Sequence, residues 1–269
     1  MSRIQQAFAA NKQKGSTTLV PFITMGDPDL KTSVDIIAEL EAAGADVVEL
    51  GVPYSDPLAD GPVIQESSQR ALQHGVTILD VVRTAQTCRE RGIQLPFILF
   101  TYYNPVLQMG PERFIPLLKE HGIDGLIIPD LPIEENGDVY RLCQEHGLDL
   151  IPLVAPTSHE RIRNICSTAM GFIYCISSLG VTGTRSEFYR GLEPFVEQVK
   201  QAADLPVAIG FGISNREQVE RLGQIADGVV IGSAIVRKIG ETIPLLTGGD
   251  DSRREGLRQI REFVSQFKV

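Results

Sequence analysis

The chain has 269 residues, 43% hydrophobic and 22% charged, enough to bury a large core without disulfide or metal staples. Its 25 Lys and Arg against 34 Asp and Glu leave a formal charge of -9, which argues against a nucleic-acid-binding face and a polybasic membrane anchor. No apolar stretch approaches the roughly 18 residues of a membrane span. The start, Met1 to Phe8, lacks the apolar core of a signal peptide and reads as a short amphipathic helix. Cys88, Cys143, Cys166 and Cys175 are scattered without a C-x-x-C pair, as expected of reduced thiols in a cytoplasmic protein.

Short apolar runs follow at 18–24, 46–50, 96–101, 124–129, 148–153, 171–176, 206–210 and 227–231. Each is near-continuously apolar, as a parallel strand buried on both faces must be. Helical periodicity fills the gaps at Ser33 to Ala43, Leu79 to Arg91, Glu134 to His146 and Phe188 to Ala203. Gly44, Gly122 and Gly147 stand where left-handed helix caps precede the next strand. The runs recur about every 30 residues, the length of a strand–helix repeat. One longer interval, after the second run, leaves room for an additional helix around Pro62 to His74, and Asp250 to Val269 reads as a helix on the outside. The expectation is an α/β fold over 1–269: a single-domain (β/α)8 TIM barrel with an extra N-terminal helix and an extra helix after strand 2. A doubly wound open sheet is the alternative. Its Gly-rich first turn is missing, because the chain has Met25-Gly26-Asp27-Pro28-Asp29 there.

A barrel keeps its chemistry at the C-terminal ends of the strands. No Lys stands at any of them, so a Schiff-base mechanism is disfavoured. His159 is the one histidine near such an end, and His74, His121 and His146 fall at helix ends. No metal site is expected. What remains is carboxylate. Glu49 closes the strand Asp46-Val47-Val48-Glu49-Leu50, where a charge is costly unless it faces the mouth or is paired with an Arg. Asp60 lies in the Pro- and Gly-rich loop that follows; its bland reading is a helix N-terminal Asp before Gly61-Pro62. Gly210-Phe211-Gly212-Ile213-Ser214 and Gly232-Ser233-Ala234 follow strands 7 and 8, the pair of loops where barrels bind phosphate. Ser233 is placed to cap a short helix aimed at the anion, and Thr182-Gly183 could add donors.

These residues resemble one family. Glu49-Leu50-Gly51-Val52-Pro53-Tyr54-Ser55-Asp56-Pro57-Leu58-Ala59-Asp60-Gly61-Pro62-Val63-Ile64-Gln65 is similar to the signature of tryptophan synthase α chains. Pro21-Phe22-Ile23-Thr24, Gly26-Asp27-Pro28, Gly180-Val181-Thr182-Gly183 and the two glycine blocks follow in the family's order. The resemblance implies cleavage of indole-3-glycerol phosphate to indole and glyceraldehyde 3-phosphate. It implies Glu49 as acid/base and Asp60 as the group holding the indole N–H. It implies Gly183, Gly212, Gly232 and Ser233 at the phosphate, Phe22, Tyr174 and Phe211 around the substrate, and Thr182 orienting Asp60. It implies no cofactor in this chain. It implies as partner a tryptophan synthase β chain carrying pyridoxal phosphate, in an α2β2 heterotetramer; the expected docking surfaces are Pro53 to Asp60 and the turn Tyr103-Asn104-Pro105, with Asp56 and Asn104 as polar contacts. Met25, Tyr54 and Phe100 depart from the family's commonest wording, and Phe100 bears on the shape of the indole pocket.

The residue types suit that chemistry. Protonation at indole C3 makes the ring an electron sink, and a carboxylate beside N1 stabilises the cation that forms. The same acid, once deprotonated, takes the hydroxyl proton as the aldehyde forms. The two acids need separated pKa values, with Glu49 raised by its apolar strand and Asp60 kept ionised by loop donors. The rivals are another phosphate-binding barrel isomerase or epimerase, disfavoured by the missing His and Lys, and an idle barrel that only binds a partner, disfavoured by two costly carboxylates.

Overall fold

The apolar runs form the parallel strands β1 (Thr18–Thr24), β2 (Val48–Gly51), β3 (Phe97–Phe100), β4 (Gly125–Ile127), β5 (Asp149–Leu150), β6 (Leu153–Val154), β7 (Ile173–Ile176), β8 (Val207–Gly210) and β9 (Gly228–Ile231) of a computed structural model. The described residues are 1–158, 161–176, 191–210 and 212–269. Neighbours run β5-β4-β3-β2-β1-β9-β8-β7-β6. β5 and β6 are two halves of the fifth run, divided at Pro152, which has no N–H to give a ladder. Ile151 N–H donates to Leu126 (3.0 Å) and Tyr174 N–H to the Pro152 carbonyl (3.0 Å), so this one run touches both neighbours and the barrel closes.

The helices are α1 (Arg3–Lys14), α2 (Leu30–Ala42), α3 (Pro62–Gln73), α4 (Ile78–Glu90), α5 (Tyr103–Met109), α6 (Pro111–Glu120), α7 (Gly137–His146), α8 (Ile162–Ser167), α9 (Leu192–Ala202), α10 (Arg216–Gly223), α11 (Ser233–Leu246) and α12 (Asp250–Ser265). The additional helix after the second run is α3. Two helices, α5 and α6, lie between β3 and β4: α6 is the helix that the Gly122 cap implies, and the expected turn Tyr103-Asn104-Pro105 is itself helical. That turn is the first turn of α5: Pro105 sits where no intrahelical N–H is required, and the Tyr103 N–H is taken by Asp130 at 2.9 Å.

The period-two alternation of the strands divides the core. Val48, Leu50, Leu99 and Ile209 point out to the helices. Val20, Val47, Ile98, Ile127, Tyr174, Ala208 and Val230 fill the barrel with Ile4 and Phe8 of α1. Helix α1 therefore plugs the N-terminal end, with the Phe8 and Phe172 rings 5.1 Å apart. A plugged bottom leaves the C-terminal end as the open one. No helix among the described residues is long and apolar enough to cross a membrane.

Candidate active site

Glu49 follows Val47 on the inward face of β2, in register with Phe22 and Ile98. The alternation that buries Val47 thus forces the Glu49 side chain inward, one layer nearer the mouth. It is only 1% exposed. Among the described residues no arginine meets it, and its Oε1 has no hydrogen-bond partner. Burial without compensation pushes its carboxyl up to about 8, so Glu49 is a neutral acid at pH 7.

Asp60 reaches the same cavity from the loop between β2 and α3. The N-cap of α3 is Gly61, with no side-chain cap bond, so Asp60 is not spent as the helix cap. It is 7% exposed, and burial raises its carboxyl to about 6, opposed by the Tyr102 hydroxyl. The separation expected of the pair holds, with Glu49 the weaker acid. Its cause differs from the expectation: burial raises Asp60 as well, though less, and the donor that opposes the rise belongs to the end of the third strand, not to the loop. The Tyr102 oxygen also accepts the Ala59 N–H at 3.0 Å, and its ring stacks on Tyr54 with centroids 4.8 Å apart. Nothing in the sequence marks Tyr102 for this role, because a tyrosine at a strand end carries no signal until its loop partner is known.

Phe22, Glu49, Asp60, Tyr174, Gly212, Gly232 and Ser233 line one cavity, with Ile64, Phe100, Ile213 and Val230. The Phe22 and Phe100 rings meet edge to face at 5.5 Å and 85° and wall it with apolar surface. Two glycines make room for the aromatic residues: a Cβ at Gly51 would overlap the Phe22 ring, and one at Gly210 the Tyr174 phenol. Desolvation and the charge of Glu49 both raise the Tyr174 phenol. Ser233 is the first residue of α11, whose N-cap is Gly232. That helix runs 14 residues, so it is not short, and Ser233 is not its cap; its N-terminus opens on the cavity and presents N–H groups with positive dipole character there. Thr182, Gly183, Phe211 and His159 lie outside the described residues. Asp56 and Asn104 are exposed on the rim, as are Leu58 (77%) and Leu107 (57%). The four cysteines are free and buried.

Carboxyls left this costly are kept where protons are moved, and the mouth of a barrel is where its chemistry takes place. Fold and site together define a (β/α)8-barrel enzyme of acid–base chemistry. Comparison with known proteins narrows the class. A family profile described as "Tryptophan synthase alpha chain" matches residues 8–269. The chain is 49% identical over 255 residues to the tryptophan synthase alpha chain of Bacillus pumilus, covering 95% of each. It is 52% identical over 232 residues to that of Geobacillus kaustophilus, covering 86% of this chain and 87% of the relative. Among solved structures, tryptophan synthase subunit alpha from Legionella pneumophila superposes with a TM-score of 0.88 at 34% identity, covering 99% of this chain and 97% of that one. A chain of Mycobacterium tuberculosis tryptophan synthase gives 0.87 at 35% identity, covering 99% and 96%. The chain belongs to the tryptophan synthase alpha chain family. It is a lyase family, whose reaction is the retro-aldol cleavage of indole-3-glycerol phosphate in tryptophan biosynthesis.

Proposed function

We propose that this chain, acting as one domain over 1–269, cleaves indole-3-glycerol phosphate with Glu49 as the acid/base and Asp60 as the indole N–H partner. The observation that carries the assignment is the pair itself: a neutral buried acid at about 8 beside a more acidic one at about 6, in one aromatic-walled cavity. Glu49 gives its proton to indole C3, and the ring becomes a cationic indolenine. Asp60, as carboxylate, accepts the N1–H and stabilises the positive charge. Glu49, now a carboxylate, takes the proton of the hydroxyl on the carbon bonded to the ring. The O–H electrons become the aldehyde C=O, and the carbon–carbon bond electrons return to the indole. One proton has entered and one has left, so Glu49 ends as it began.

Phe22, Phe100 and Tyr174 hold the ring system. Gly212, Gly232 and Ser233, at the N-terminus of α11, hold the phosphate. The family resemblance assigns Gly183 to the phosphate, Phe211 to the pocket wall and Thr182 to orienting Asp60. The reaction needs no cofactor in this chain. The partner is a β chain with pyridoxal phosphate, in an α2β2 cytoplasmic assembly that consumes the apolar product. Its docking surface is the rim around Asp56 and Asn104, where exposed Leu58 and Leu107 supply apolar contact.

The test is incubation with indole-3-glycerol phosphate, with and without a tryptophan synthase β chain, following glyceraldehyde 3-phosphate by a coupled assay. Cleavage that rises with the β chain is expected. A folded protein inactive in both conditions would overturn the roles given to Glu49 and Asp60.

A further inference from the structure

Asp27 is a buried carboxylate that the reaction does not use. It follows β1 in the first strand–helix loop, with its side chain 1% exposed. Arg70, on the second half of α3, meets it with two parallel bonds, Nε to Oδ1 and Nη2 to Oδ2, both 2.8 Å. One turn earlier on α3, the Ser67 and Thr24 hydroxyls lie 2.6 Å apart. Ser67 gives its own proton to the Ile64 carbonyl at 2.8 Å, so Thr24 is the donor of that pair. Two side-chain bridges thus join α3 to the mouth end of β1 and its loop.

The other end of α3 leads back to Asp60. Its N-cap is Gly61 without a side-chain cap. The chain there is tied back by Gln65, whose amide donates to the Asp60 carbonyl at 2.7 Å. Asp60 is thus restrained from two directions, by Tyr102, which meets its carboxyl and accepts the Ala59 N–H, and through α3 from Ser67 and Arg70, because a helix transmits an axial displacement along its length. A paired fork of this kind fixes direction as well as distance, which a single ammonium contact does not.

We propose that Arg70 and Asp27 are positioning residues for Asp60: their paired bonds hold α3 in the axial register that sets the Asp60 carboxylate in the cavity. This rests on the role given to Asp60 under Proposed function. The titratable groups near Asp60 among the described residues are Tyr102 from the end of β3 and Glu49 and Tyr174 across the cavity; Glu66 is the other charge acting on Arg70. Arg70→Lys leaves all of these in place.

The experiment compares Arg70→Lys with wild type in the full chain plus β chain, measuring kcat, KM and the pH profile of kcat/KM. Misplacement of a reacting group by about an ångström costs on the order of 100-fold, and partial loosening predicts a kcat loss of about 10-fold or more, with KM within threefold. The acid limb should move to lower pH, because water reaching Asp60 relieves the desolvation that raises it. A purely structural role would lower the melting temperature and move neither kcat nor the limb. That result, or a raised KM with normal kcat, overturns the proposal. Asp27→Asn, which keeps an acceptor for Arg70, gives the same reading should Arg70→Lys fail to fold. Asp60→Asn run alongside separates the two claims. Full activity there sinks the role of Asp60 and this inference with it; lost activity there beside a normal Arg70→Lys sinks only the inference.

Discussion

Asp124 at the plugged end of the barrel and Glu49 at its mouth are both buried carboxyls on adjoining parts of one sheet, and they are treated in opposite ways. Asp124 accepts from Arg3 Nη1 at 3.1 Å, Arg89 Nη2 at 3.0 Å and the Phe97 N–H at 2.9 Å. The Arg89 guanidinium also lies 3.8 Å over the Phe97 ring. Close by, Asp149 accepts the Ser2 hydroxyl at the start of α1. Every one of these contacts fastens the plug or the bottoms of the strands. Among the described residues Glu49 has no such company, and its Oε1 is left without a partner. Burial alone therefore does not mark a functional carboxyl; burial without compensation does.

The contrast breaks most visibly under substitution. Glu49→Gln should lower kcat by about 100-fold to 10,000-fold, the usual worth of a general acid–base group, while the dissociation constant for indole-3-glycerol phosphate stays within several-fold. The same variant should be more stable than wild type at neutral pH. Glu49 ordinarily titrates near 4.5 and is raised to about 8 in the fold. Its contribution is fully present below pH 4.5 and is lost as pH rises toward 8, because the folded state must hold a proton that the unfolded chain releases. At pH 7 that costs roughly 3 kcal/mol, a penalty that glutamine removes; urea denaturation of both proteins at pH 5 and pH 7 reads it directly.

Asp124→Ala should do the reverse. Removing the carboxylate leaves the largely buried Arg89 charge with only the Gly122, Ile93 and Leu95 carbonyls, at a cost of about 3–5 kcal/mol, seen as a lower denaturation midpoint, with unchanged kcat per folded molecule. The pH profile comes next in size. Asp60 must be ionised and Glu49 protonated, so kcat/KM should fall below pH about 6 and above pH about 8. Tyr102→Phe removes the donor that opposes burial at Asp60, so its acid limb should move to higher pH, the opposite direction from Arg70→Lys. The smallest effect is expected at Gly232→Ala. Among the described residues a Cβ there would come no closer than 3.6 Å, to Phe22, so stability should change by less than about 0.5 kcal/mol. The added methyl should show as a KM raised several-fold, through the phosphate end of the cavity.

The contrast between the two ends was half legible in the sequence. The eight apolar runs and the additional helix after the second follow from hydrophobic periodicity and chain spacing alone. Glu49 stands out because it interrupts an apolar run, and Asp60 because its loop is stiff with proline. The Gly122 cap marks a helix before the fourth run, but not its division into α5 and α6: Gly110-Pro111 ends one and starts the other, and Pro116 lies inside α6 although it has no N–H to give. The split of the fifth run depends on which neighbour each residue pairs with, and that is tertiary information. Ile64, Ile213 and Val230 look like core by composition, so nothing local marks them as cavity wall. The fork between Arg70 and Asp27 joins residues 43 positions apart, a distance over which spacing says nothing.

The most direct test of the account is the protonation state of Glu49. Infrared difference spectra of the wild-type chain against Glu49→Gln, taken across pH 5 to 9, isolate the carboxylic C=O band of this one group. The account predicts that the band is present at pH 7 and titrates away near pH 8. A band already gone at pH 6, with the carboxylate stretch in its place, would contradict it, because Glu49 would then have no proton to give to the indole ring.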